Sequence, residues 1–112
     1  MDEQKRLEKL RRSMLTAVRI IGASKDGGWV GGAVLADTAK DDHGQKPAGD
    51  EQAISLIGDL QAWGLIEEQG QQVLGGEKKS LRHRQFRLTK KGWSLWLQEI
   101  PPIAGIYDDR LD

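Results

Sequence analysis

The chain contains no cysteine, which removes disulfide staples and thiolate metal ligands together. Its two histidines, His43 and His83, have no partner at metal-ligand spacing, so nothing predicts a zinc centre. No apolar run approaches the roughly 18 residues that a membrane-spanning helix needs. The opening MDEQKRLEKLRR lacks the apolar core of a secretory signal, and a cytoplasmic location is the default. GGEKKS (75–80) holds Gly, Lys and Ser but not the G-x-x-x-x-G-K-[ST] spacing of a phosphate loop, and reads as a turn. The adjacent carboxylates Asp41-Asp42 and Glu67-Glu68 fall on a loop and at a strand start rather than across a cleft. No acid–base pair is therefore predicted, and neither enzymatic activity nor a cofactor is expected. One further absence is local: there is no Lys or Arg from 47 to 77.

What is present suits one domain with a modest core: 112 residues, 38% apolar and 30% charged. The formal net charge of zero conceals a segregation. Residues 51–75 hold four acids and no base, whereas residues 76–98 hold seven bases and one acid. Residues 99–112 hold four acids and one base. A basic block of this kind attracts phosphates whatever the total charge.

Leu7, Leu10, Met14, Ala17 and Ile21 recur at helical spacing, predicting a first helix over 2–22 with Asp2 as N-cap. The stripe reads as core packing or, in its first half, as a seam for a second subunit. Trp29-Val30, bracketed by glycine pairs, reads as a very short strand, with Trp29 a candidate exposed contact. Residues 33–41 read as a short helix with Val34, Leu35 and Ala39 inward. DDHGQKPAG then breaks regular structure. Asp50 is the expected cap of a third helix over 51–63, with Ala53, Leu56, Ile57, Leu60 and Trp63 on one side. Gly64 follows in the place of a left-handed C-cap. LIEEQGQQVL and SLRHRQFRL read as two strands around GGEKK, with Phe86 and Leu88 on the apolar face. Thr89 is placed to cap a last helix over 90–99, with Trp93, Trp96, Leu97 and Ile100 inward, before Pro101-Pro102 stops it. Residues 101–112 read as a loose acidic tail.

Two motifs at this spacing resemble a known family. LQAWGLIEEQG (60–70) is similar to the L-x-x-x-G-L-[IV] passage from third helix to first wing strand in winged helix-turn-helix domains. FRLTKKG (86–92) is similar to that family's [FY]-x-L-T-x-x-G passage from second wing strand to last helix. The resemblance covers about residues 10–99. It implies a mostly helical α+β winged helix-turn-helix domain over 1–100, with the helix-turn-helix at 33–63 and a small antiparallel wing sheet at 65–88. The Arg-rich first helix, small size and Pro-interrupted tail also resemble, more faintly, small winged-helix proteins of Mu-like transposable phages.

The resemblance implies a DNA-binding regulatory or accessory protein of transcription, touching the duplex backbone through its wing. Lys78, Lys79, Arg82, Arg84 and Arg87 would lie on that wing, with Lys90 and Lys91 at the next helix start. Cations there would displace counterions from the duplex. Gln52 and Ser55 are the candidate base readers of the third helix. Asp50, Glu51 and Asp59 on the same helix would repel phosphates. They favour the alternative, a protein-interaction module that uses the acidic third helix and the first helix without DNA. A homodimer through Leu7, Leu10 and Met14 is the expected assembly.

Overall fold

The N-terminal stripe forms the spine of the molecule. In the computed structural model, which describes residues 2–70 and 80–111, helix α1 spans Glu3–Gly22, and the Asp2 carboxylate accepts from the Gln4 N–H to cap it. Leu10, Met14, Leu15 and Val18 are buried, while Leu7, Ala17 and Ile21 pack at the edge of the same cluster. A 3₁₀ turn (Asp26–Gly28) leads into strand β1 (Val30–Gly31), helix α2 (Gly32–Thr38) and helix α3 (Asp50–Ala62). Strand β2 (Ile66–Glu68), strand β3 (Gln85–Leu88) and helix α4 (Lys90–Trp96) complete the order. Among the described residues the result is an α+β fold: four α-helices over an antiparallel sheet of order β1-β3-β2. Phe86 stands opposite Val30, and Leu88 opposite Ile66. Phe86, Leu88, Val30 and Ile66 all point into the core that α1 and α3 cover.

The two motifs picked out from the sequence meet in space. Gly64 takes φ 74, the left-handed conformation that ends α3 and turns Leu65 back into the core. Thr89 caps α4 by accepting from the Gly92 N–H at 3.0 Å, and its hydroxyl donates to the Gly64 carbonyl. The Thr89 N–H donates to the Leu65 carbonyl at 3.1 Å, and Lys91 Nζ donates to the Trp63 carbonyl at 2.8 Å. The end of α3 and the start of α4 therefore satisfy each other's unpaired backbone groups.

Several expectations need correction. Asp50 lies in the first turn of α3, and Gly49 holds the N-cap position without a side-chain cap. Helix α2 ends at Thr38, and Val34 faces solvent while Leu35 and Ala39 are buried. Helix α4 ends at Trp96 and turns Gly92 and Leu95 inward, leaving Trp93 41% and Leu97 51% exposed. The bulky residues suggested the other phase. The helix instead seats its residue without a side chain against the Leu65 backbone. The regular ladder is shorter than the expected strands, and the GGEKK turn lies outside the described residues. The premise of the homodimer also fails, because Leu10 and Met14 have no exposed surface left to offer a partner.

Residues 101–111 are not loose. Ile103 and Ile106 join the core, the Tyr107 N–H donates to the Glu8 carbonyl, and Arg11 donates to the Gly105 carbonyl. Lys9 lies 3.7 Å over the Tyr107 ring. Fully burying an isoleucine such as Ile106 contributes about 1.5–3 kcal/mol toward holding the segment down. Asp108, 2% exposed, accepts from both Nε and Nη2 of Arg110, and this guanidinium holds its carboxyl down at about 2. On the opposite flank of α1, Asp41 accepts from the Gln45 and His43 N–H groups and from Arg6 Nε. These bonds, chiefly the one from Gln45, lower its pKa as well.

Depressed carboxyls stabilise the fold above the unfolded-state value near 3.9, and the contribution is lost as pH falls through the folded value. Melting temperature should therefore drop as pH goes from about 4 toward 2. In Asp108→Asn the pH 7 melting point should fall and the acid slope should flatten. A variant that keeps the wild-type slope would show that Asp108 does not carry it.

Candidate nucleic-acid interface

The β2–β3 ladder sets the geometry of the basic block. The strands place Glu67 directly across from Arg87, and the pair closes at 3.2 Å. Glu68 reaches past the end of the ladder to Arg84, which donates to it from Nε at 2.9 Å and Nη2 at 2.8 Å. Both side chains of this forked pair are 18% exposed. Glu68 raises the pKa of Arg84 further, so the cation is permanent. Arg87 also lies 4.3 Å over the half-buried Trp29 ring and donates to the Gly27 carbonyl at 3.4 Å. Trp29 is thus covered by Arg87 rather than held out as an open contact.

The nine candidate contacts therefore separate. Arg84 and Arg87 are engaged by carboxylates, and Lys91 by the C-terminal end of α3. Gln52 is engaged too: its Oε1 accepts from the Ala48 N–H at 2.8 Å and from Arg6 at 3.2 Å, fixing the loop before α3. Arg82, Lys90 and Ser55 are exposed, and the side chains of Arg82 and Lys90 make no ion pair with any described residue. Lys78 and Lys79 lie outside the described residues. His83 sits between Arg82 and Arg84 at φ 64 and is exposed, turning the chain just before β3 begins.

On α3, Asp50 and Glu51 are exposed in the first turn, where the helix dipole favours them. Asp59 is not part of that charged surface, because Arg11 of α1 holds it at 3.0 Å. Reading the sequence missed these partners. Glu67 and Glu68 opposite Arg84 and Arg87 were a detectable cross-strand signal. The Arg11–Asp59 and Arg6–Asp41 pairs join residues far apart in sequence and left no local trace.

Among the described residues, no group of three His, Cys, Asp or Glu could hold a metal ion. Within them, no helix is long and apolar enough to cross a membrane. Comparison with family models, curated proteins and solved structures finds no match.

Proposed function

We propose that the chain is a non-enzymatic winged-helix protein that binds duplex DNA as a regulatory or accessory factor, through the outer part of its β2–β3 hairpin. The element order, the strand order β1-β3-β2 and the mutual capping of the two family-like motifs support the winged-helix assignment. One observation carries the DNA reading. The ladder's own acids, Glu67 and Glu68, are consumed by Arg87 and Arg84 at the base. Arg82 and the neighbouring Lys78 and Lys79 are then opposed in the sequence only by Glu77. An internally neutral ladder joined in sequence to a cationic segment suits backbone contact without base recognition.

The test is titration of random-sequence duplex against salt. Log affinity should fall linearly with log salt, with a slope of about −2 to −3, as expected for two or three phosphate contacts. Absence of binding at about 50 mM salt would remove the DNA reading. The exposed Asp50 and Glu51 on α3 favour the second reading, a protein-interaction module, which would then stand in its place.

A further inference from the structure

At the base of the sheet, the C-terminal end of α1, the 3₁₀ turn, β3 and α4 enclose an open groove of about 170 Å³. Arg19, Gly22, Gly27, Arg87, Leu88 and Trp93 line it. Its position separates it from the outer hairpin. Leu88 pairs with Ile66 at one end of the β2–β3 ladder, and the chain leaves toward 71–79 from the other end. A molecule in the groove would lie at the Leu88 end of the ladder, whereas Arg82 precedes its other end.

Arg19 is the unusual group there. Its guanidinium stacks 4.8 Å from the Trp96 ring centre and 5.7 Å from that of Trp93. Its Nε is closed off from solvent and has no acceptor among the described residues. Arg6, Arg11 and Arg84, also half-buried, each pair with a carboxylate; Arg19, like Arg12, makes no ion pair with any described residue. Across the groove, Arg87 is balanced among the described residues by Glu67, a pair with both members more than two-fifths exposed. Trp93 of α4 lines the groove, and Leu97, the C-cap four residues on whose N–H bonds back to the Trp93 carbonyl, is exposed as well.

A partly desolvated arginine between tryptophans, next to a half-exposed apolar shelf, has the composition of an energetic centre in protein–protein contacts. The space is below the roughly 300 Å³ typical of small-molecule pockets and far too narrow for a duplex. It fits a side chain or two from a polypeptide. A guanidinium with no carboxylate, to be met at its Nη nitrogens because Nε is closed off, states which side chain: an anionic one.

We propose that this groove is the docking site for a segment of another protein that sets an Asp or Glu side chain against Arg19 and a bulky apolar side chain on Trp93 and Leu97.

The probe is a phage-displayed library of random dodecapeptides, selected on the intact chain; enriched sequences are then made as labelled peptides for polarisation titration. The expected consensus joins Asp or Glu to a Leu, Ile, Phe or Trp nearby. Arg19→Gln should weaken the peptide by about tenfold or more, and so should changing the peptide's acid to its amide. The two changes together should cost little more than either alone, which marks a direct pair. Trp93→Ala should weaken the same peptide, while Arg19→Gln should leave duplex binding unaltered. No enrichment, a consensus without an acid, or insensitivity to Arg19→Gln would overturn the proposal. Displacement of the peptide by random duplex would make the groove a nucleic-acid contact and overturn it. Self-association at about tens of micromolar that Trp93→Ala abolishes would make the occupant a second copy and overturn it likewise.

Discussion

Gly92→Ala is expected to cost more than about 3 kcal/mol, enough to lower the melting temperature by on the order of 10–20 °C. Gly92 lies in the first turn of α4, and a Cβ there would penetrate the Leu65 carbonyl oxygen. That carbonyl is not free to move, since it accepts from the Thr89 N–H and belongs to the turn that Gly64 forms. The same Cβ would meet Leu88 Cδ2 at 3.1 Å. Relief requires α4 to lift from the core, which pulls Leu95 with it. Gly58→Ala is the matched control. It lies exposed within α3, and beyond its chain neighbours and the helix's own backbone no described atom comes within 4 Å of an added Cβ. There alanine should stabilise by about 0.5–1 kcal/mol through helix propensity. Thermal melts of the two variants should therefore move in opposite directions. A Gly92→Ala protein that melts within a few degrees of wild type would show that α4 does not sit on the Leu65 backbone.

Replacing Lys78, Lys79 and Arg82 together with alanine should weaken duplex binding on the order of tenfold at about 50 mM salt for each phosphate the hairpin no longer neutralises. The weakening should be nearly the same for every DNA sequence, because phosphate contacts position a protein without reading bases. The slope of log affinity against log salt should become shallower by about 0.9 per phosphate. Arg84→Ala should behave differently despite its place in the same basic block. It removes the forked pair with the half-buried Glu68 carboxylate, so its main effect should appear in stability rather than in the salt slope. Replacing Asp50 and Glu51 with Asn and Gln reports on α3. Tighter binding would place α3 near the duplex, and unchanged binding would place it elsewhere. A triple variant that binds DNA as wild type does would remove the outer hairpin from the interface.

Signals confined to a few neighbouring residues were legible in the sequence. Asp2 and Thr89 announced two helix starts, Gly64 a helix end, and the Phe86/Leu88 alternation the inner face of β3. The phase of α4 was not legible, because its closest approach is made by a residue with no side chain. Trp93 and Leu97 have the apolar size of core residues and are nonetheless half exposed. The basic block was visible as composition, but its electrostatics were not. Which cations remain unpaired depends on the register that sets Glu67 opposite Arg87, and register is a property of the folded hairpin. Arg19 gave no signal at all, since its tryptophans lie more than seventy residues further along the chain.

The seating of residues 103–108 on α1 bears on how the protein is made. Tyr107 bonds to Glu8, and Arg11 to Gly105, so the two ends of the described chain are laced together. Synthesis delivers α1 first, and its apolar stripe must wait while some ninety further residues are added. Until Ile106 has cleared the ribosomal exit, that flank of the helix stays uncovered, open to chaperones or to neighbouring nascent chains. Contacts of such long range also slow the search for the native state. Emergence of residues 103–108, rather than of any single helix, is then the event that lets the fold close.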